Sequence, residues 1–460
     1  MTTIDEVRAR LGGWGGRLVS PSDAGFDDVA PVVFAGDGAA PALVARPRDV
    51  GEVSAAVRAA AETGVPFAVR GGGHAYARYG TVPGGLVLDL RLLGGVRIDP
   101  ERRVGTASAG TTAGDYTAAA AGHGLATGFG DTLSVGVPGL ALGGGIGYLS
   151  RRDGLTLDNV VGAEVVLADG SVVRASDDEN PDLFWALRGG GGNFGVVTRL
   201  DLRLVPTTLV TGGLLAFEPD PRTVGALLAA AAAAPDELSL MVNVMKAPPV
   251  PFLPAERHGT PVVVALVCHA GSPDAADAAL APFRAAGTLV ADLVRPQPYP
   301  DLFGLAPNQA RTWPAQRTGF AETVADADAA SVIDAVRTAP TPVAVLNLRP
   351  LGGAIARVPR DATAFAHRDR AVMATVGAIS PDGARSGEVR EWVARTADAL
   401  GLGGAAYANF VAASGGSVED AYPGATLRRL QEVKRRVDPG NLFRSNLNVV
   451  PAEEPVAARA

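Results

Sequence analysis

The stretch GDTLSVGVPGLALGGGIGYLSRRDG, Gly130 to Gly154, places glycines at 136, 139, 143, 144, 145 and 147 among small and apolar residues. That density lets backbone pack closely on a flat ligand or on another backbone. It is not a dinucleotide fingerprint, because no strand–helix–strand unit with an acidic residue about 20 positions on surrounds GGGIGY. A phosphate loop ending in Gly-Lys-Ser/Thr is also absent from the chain.

Two further glycine clusters flank it. Arg70-Gly71-Gly72-Gly73-His74 follows the short apolar strand PFAVR (66–70), so that consecutive N–H groups uncovered by side chains can converge on an anion. The same residues suit a tight turn with glycine at positive φ, and by themselves they leave both readings open. The third cluster, DLFWALRGGGGNFGVVTRLDLRLVP (182–206), runs from an apolar helix through four glycines into a strand. Phe184, Trp185 and Leu187 on that helix read as core, and the acidic run Asp177, Asp178, Glu179 before it as a solvated turn.

Working outward, Pro41 to Pro206 alternates helix and strand. It holds a helix over 50–64, strands at 66–70 and 85–90, and a hairpin over 159–176 turning at Asp169-Gly170. Beyond Thr207 the segments GGLLAFEP, SLMVNVMK, PVVVALVCHA and VAVLNLRPL read as strands of an antiparallel sheet, with Ala-rich helices at 273–287 and 327–339 between them. Residues 417–443 read as helix with a Pro-Gly stop that returns to the first part. The expected division is therefore 1–206, 207–414 and 415–460, in an α+β chain.

Composition narrows the function classes. Apolar residues make up 47 % and charged residues 19 % of 460, which is globular rather than disordered. Asp plus Glu (48) exceeds Lys plus Arg (41), so no electrostatic footprint for nucleic acid is present. The one cysteine, Cys268, excludes a disulfide framework or a CxxC metal site within the chain and reads as a buried apolar thiol. Asp5, Glu6, Arg8 and Arg10 interrupt any apolar signal segment, and no run reaches the roughly 20 apolar residues of a membrane span. A cytoplasmic protein without membrane, nucleic-acid or metal partners is expected, as a monomer or homodimer.

Six motifs in order then carry a resemblance: VRGGGH (69–74), SVGVPGLALGGGIG (134–147), GLTLDNVVGAEVV (154–166), ENPDLFWALRGGGGNFGVVT (179–198), YANF (407–410) and VKRRVDPGNLFRSNLNVVP (433–451). The chain resembles the FAD-linked oxidases of the vanillyl-alcohol oxidase superfamily, and within them the berberine-bridge-enzyme-like branch. The resemblance implies a two-lobed PCMH-type FAD-binding fold of α+β class, whose second lobe is an antiparallel sheet covered by helices. FAD would lie extended in the first lobe with its ring at the seam. It implies further that Arg70, Gly71, Gly72 and Gly73 hold the diphosphate, with His74 bonded to the flavin 8α carbon. Imidazole suits that role, being a nucleophile that is neutral near pH 7. Thr132, Ser134, Gly136, Gly139, Gly144, Gly147 and Val197 are the other cofactor contacts implied. Asn446 and Asn448 alternate on an expected terminal strand, and either face the flavin pyrimidine edge or lie on the surface. Many relatives add a second flavin bond from a cysteine at or next to the position of Thr132; with Cys268 far away, only one link is expected. Leu140 stands where some relatives carry a histidine toward the ribityl chain, and His123, His258, His269 and His367 fall in no motif.

The same resemblance places Tyr407 where relatives carry a catalytic or substrate-orienting tyrosine, which makes it the expected catalytic residue, abstracting or relaying the substrate proton. A phenol with a free pKa near 10 is a poor base at neutrality unless a cation lowers it. Arg349 is that cation if VAVLNLRPL points its odd positions at the flavin; otherwise Tyr407 simply packs at the seam. The implied activity is hydride removal from a C–H next to O or N of a small alcohol, sugar or amine, with dioxygen as electron acceptor and peroxide as product. A dehydrogenase, an oxygenase or oxidative-rearrangement enzyme, and a non-catalytic flavin- or drug-binding protein are the alternatives. No motif in residues 207–414 reads a substrate.

Overall fold

Two parallel pairings, Phe67–Arg70 and Leu43–Ala45 each against Leu86–Asp89, found the first sheet of the computed structural model, which describes residues 3–305, 311–412 and 415–453. Leu18–Val19 completes its four strands. The helix Val50–Thr63 makes the crossover that parallel strands require. Asp49 accepts the Glu52 N–H at 2.9 Å to start it, and Gly64 at φ +66° ends it. Val53, Ala56, Val57 and Ala60 share the face this spacing creates and are buried against Leu43, Leu86 and Leu88. Each valine buried there stabilises by roughly 1.5–3 kcal/mol.

A second, antiparallel sheet runs in the order Val96–Asp99, Val104–Ser108, Val196–Arg203, Val160–Val166, Val172–Ala175. Its hairpin turns at Asp169-Gly170, with Gly170 at φ +81°. The helix Pro181–Leu187 packs beneath it, with Phe184, Trp185 and Leu187 as core.

The largest sheet is antiparallel throughout. Its order is Leu289–Asp292, Leu209–Phe217, Pro261–His269, Leu238–Lys246, Val343–Pro350, Val372–Ser380, Trp313–Ala321, with Arg295–Pro298 added beside Leu209–Phe217. Helices Pro221–Ala233, Pro273–Arg284, Asp326–Arg337 and Ser386–Ala399 supply the apolar cover of one face, where Val242, Val244, Leu346, Leu348 and Val376 are buried. Period-two alternation sends Asn243, Val345, Asn347 and Arg349 to the other face. At one end that face packs, through Met241 and Cys268, on Tyr148, Leu149 and the 3₁₀ turn Tyr299–Leu305; the rest of it turns toward the glycine clusters. Cys268 is buried in this sheet, its thiol pushed up to about 12 by burial.

The segment 417–443 forms two helices, Val418–Ala421 and Ala425–Val437, parted at Gly424 with φ +57°. The longer one packs on Pro181–Leu187. Residues 445–450 are not the strand expected there. Asn193 replaces a ladder: its Nδ2 donates to the Gly190 and Leu447 carbonyls at 2.8 and 3.1 Å, and its Oδ1 accepts the Val449 N–H at 2.9 Å. The fully buried Lys434 adds bonds to the Asn193 and Phe443 carbonyls and to Asp438. The third glycine cluster and residues 443–449 are thus one clasp. The expected boundary at 414 falls on residues 413–414, which lie outside the described residues. No helix among the described residues is long and apolar enough to cross a membrane.

Candidate active site

The three glycine clusters converge on one cavity of about 560 Å³, within the size range of cofactor sites. Gly71, Gly72 and Gly73 line it from the first cluster, Gly130, Gly136, Gly139 and Gly145 from the second, and Gly191, Gly192 and Gly195 from the third. The opposite wall is the part of the large sheet's other face left open there, through Asn243, Gln316, Val345, Asn347, Arg349 and Thr375.

Gly72 and Gly136 touch backbone to backbone. A Cβ on Gly136 would stand 2.6 Å from the Gly72 nitrogen, and one on Gly72 would meet the Gly136 nitrogen and stand 3.1 Å from its Cα. These glycines are therefore required by each other before any ligand arrives. A Cβ on Gly139 or Gly192 meets nothing within 4 Å, so their openness belongs to the cavity itself. His74 lies beside them, its ring edge-on to Phe34 and bonded to the Ser134 backbone. Burial lowers its pKa against the pull of that bond, which keeps the imidazole neutral at neutral pH.

Other expected contacts lie elsewhere. Ser134, Gly144, Gly147 and Asn448 are not in the cavity wall, whereas Thr132, Val197 and Asn446 are. Gly144, at φ +147°, makes room for the Tyr407 ring, 2.7 Å from where its Cβ would be. Gly147 sits against the Phe129 carbonyl, and Ser134 reaches His74 only through its backbone. Asn448 follows the clasp on Asn193 instead of alternating on a strand. Arg70 lines the cavity, yet its guanidinium donates to the Val29, Ala30 and Pro31 carbonyls and pairs with buried Asp89 at 3.2 Å. It braces the loop rather than standing free for phosphate.

Tyr407 is 2 % exposed. Its hydroxyl oxygen accepts the Gly145 N–H at 2.7 Å and Asn409 Nδ2 at 3.0 Å. Burial raises its pKa, and these two donors and Arg349 only partly offset that. VAVLNLRPL does present its odd positions to the cavity, but Arg349 is already paired: Nη2 meets Asp131 Oδ2 at 2.6 Å, Nη1 donates to the Ile146 carbonyl, and Nε donates to Asn347 Oδ1 at 2.9 Å. Burial alone would raise the Asp131 carboxyl; Arg349 and the Thr132 hydroxyl bring it below the usual range. Tyr76, stacked on Phe34 with centroids 4.5 Å apart, also lines the cavity, its phenol pushed up to about 12 by burial. Asp131, Tyr76 and Asn243 are among the wall residues that the sequence reading missed. Of these, Asp131 alone left a signal, as one of the two acids, with Asp153, in the glycine-rich stretch 130–154.

The residues present fit FAD. Asn446 Nδ2 donates to the Phe443 carbonyl at 3.0 Å, which leaves Oδ1 buried without a donor at the cavity wall, where a cofactor N–H or O–H completes it. The unobstructed glycine backbone and the neutral His74 complete the cradle.

Comparisons agree with this geometry. Residues 41–176 match the FAD binding domain family, and residues 406–450 match the family described as berberine and berberine like. (R)-6-hydroxynicotine oxidase of Paenarthrobacter nicotinovorans is 32 % identical over 95 % of this chain and 97 % of its own. The crystal structure of 6-hydroxy-D-nicotine oxidase from Arthrobacter nicotinovorans superposes with a TM-score of 0.84 at 29 % identity, covering 95 % of this chain and 98 % of that one. A glucooligosaccharide oxidase from Acremonium strictum, described with a 6-S-cysteinyl, 8α-N1-histidyl FAD, shares the fold at a TM-score of 0.85 and 24 % identity, over 98 % of this chain and 100 % of that one. The chain belongs to the berberine-bridge-enzyme-like FAD-linked oxidases, as an oxidoreductase with FAD as its cofactor.

Proposed function

We propose that the enzyme oxidises a small neutral amine at the C–H next to nitrogen, with dioxygen as the electron acceptor. The observation that carries this is the charge state of the cavity wall. Among the described residues lining it, the carboxylate of Asp131 is paired with Arg349, burial holds Tyr76, Tyr79 and Tyr407 as neutral phenols, and His74 stands ready for the flavin bond. None is a free base near neutral pH. An alcohol must lose its O–H proton to a base as hydride leaves, whereas a neutral amine supplies the electrons from its own lone pair and becomes an iminium ion. The full-length likeness to an enzyme named for an amine substrate supports the same reading.

When bound, FAD accepts the hydride and passes its electrons to dioxygen, which leaves as hydrogen peroxide. The chain's residues then take these roles. Gly71, Gly72 and Gly73 present bare N–H groups to the diphosphate, and His74 makes the single 8α link, with Thr132 in place of a second thiol ligand. Gly136, Gly139 and Val197 shape the wall, and Asn446 meets the cofactor through its free Oδ1. Tyr407 is a positioning residue, holding the loop at Gly144 and Gly145, and not the base first expected.

Anaerobic mixing of the yellow enzyme with cyclic secondary amines and with primary alcohols tests this. Amines are expected to bleach the flavin, faster as rising pH deprotonates the amine, and readmitted air to restore colour with one peroxide per product. Bleaching by alcohols with an ionisation on the enzyme would refute the amine reading. A bleached enzyme that air leaves colourless would refute dioxygen as acceptor.

A further inference from the structure

Three side chains on the sheet-side wall, with Asp131 reaching them from the second glycine cluster, form one directed chain of hydrogen bonds. Arg349 sets the direction, because a guanidinium only donates. Its Nη2 is anchored by Asp131, so its Nε, at 2.9 Å, requires the oxygen of the Asn347 amide. Asn347 must then donate through Nδ2 to its partner at 2.7 Å, which is therefore Asn243 Oδ1. The amide orientations follow from this chemistry and not from the indistinguishable shapes of oxygen and nitrogen. Asn243 and Asn347 face each other directly across neighbouring strands, which holds the geometry rigid.

What remains is the Nδ2 of Asn243. Asn243 is half-buried and lines the cavity, and no hydrogen-bond partner for its Nδ2 occurs among the described residues. It is also not a buried orphan, so it opens into the cavity. Arg349 could not serve in its place, its charge being matched by Asp131.

We propose that Asn243 reads the substrate, presenting a fixed N–H donor that selects molecules carrying a neutral acceptor without a proton: a carbonyl, an ether or an imine-type ring nitrogen. Asp131 and Arg349 are the positioning pair that sets its polarity. An anionic acceptor is disfavoured at this position because Arg349, the cation beside it on the sheet-side wall, is already matched by Asp131. The assignment rests on this cavity being the substrate chamber of the oxidase, and it deepens that reading by naming a group the substrate must carry.

The test uses the FAD-loaded enzyme and two inert probes of nearly equal shape, acetophenone and α-methylstyrene, which differ in one acceptor. Binding is read from the change in the visible flavin spectrum. Wild type is expected to bind acetophenone at least about fivefold more tightly, the worth of one net hydrogen bond. Asn243→Asp keeps the oxygen that Asn347 needs and turns the cavity-facing donor into an acceptor; the preference should vanish or reverse. Asn243→Val should lose the preference while still binding α-methylstyrene. Flavin content and unfolding midpoint establish that both variants are folded. Equal binding of the two probes by wild type, binding of neither up to its solubility, or the preference surviving in both variants would overturn the proposal. Failure of amines to bleach the wild-type flavin would instead overturn the functional reading, whatever the probes show.

Discussion

Replacing Gly72 by alanine puts one methyl into the tightest approach between two glycine loops. The new Cβ would fall inside contact with the Gly136 nitrogen, 3.1 Å from its Cα and 3.3 Å from the Ser134 carbonyl oxygen. All three are backbone atoms, so nothing can swing aside, and ordinary carbon contacts of about 3.5–4.0 Å require the loops to part. Overpacking of this kind costs about 1–3 kcal/mol, equivalent to roughly 5- to 150-fold in an equilibrium constant. Gly136→Ala should cost about the same, since its Cβ would stand 2.6 Å from the Gly72 nitrogen. The double variant should cost less than the sum, because loops already parted for one methyl accept the second more easily. Gly139→Ala is the contrast. Its Cβ meets no protein atom within 4 Å and sits in the helix Val137–Gly143, so the fold should be unharmed while FAD occupancy falls. Urea unfolding followed by tryptophan fluorescence, with FAD per chain measured alongside, separates the two effects. Wild-type midpoints for Gly72→Ala and Gly136→Ala would refute the argument that the glycines answer to each other.

Three further outcomes follow from the site. In wild type, acid precipitation should leave the flavin in the pellet on the peptide containing His74, whereas His74→Ala should release it all; a wild-type pellet without colour would refute the link. Tyr407→Phe removes the acceptor of the buried Gly145 N–H, and should destabilise by about 1–3 kcal/mol without removing any ionisation from the pH profile of flavin reduction; an ionisation that disappears in this variant would restore Tyr407 as the base. Asp131 is depressed in the folded enzyme, so its contribution to stability is fully present above its unfolded pKa of about 3.9 and is lost as pH falls through the lower folded value. Urea midpoints should therefore fall more steeply below about pH 4 in wild type than in Asp131→Asn, and superimposable curves would refute the pairing.

Period-two alternation made the wall of the large sheet legible: once VAVLNLRPL was a strand with one covered face, Asn347 and Arg349 had to share the other. The glycine clusters were legible as places of close approach. A glycine says that something comes near and not what, which is why Gly144 and Gly147 looked like cofactor contacts when they accommodate Tyr407 and a carbonyl. Asp131 acquires its meaning only from Arg349, 218 positions away, and no local pattern encodes that pairing. The alternation read at Asn446 and Asn448 failed for a related reason: the side chain of Asn193, distant in sequence, took the place of a neighbouring strand.

The clasp between Asn193 and residues 447–449 also fixes an order of events during synthesis. Phe443, Ser445, Asn446 and Leu447 are part of the cofactor wall that begins at Phe34. The ribosome must pass all of them before that wall can close. A nascent chain can complete its first parallel sheet and its hairpin early, but FAD has no finished seat until translation is past residue 449. Colour is therefore a late event in the life of this protein, and a chain interrupted shortly before residue 443 would emerge colourless.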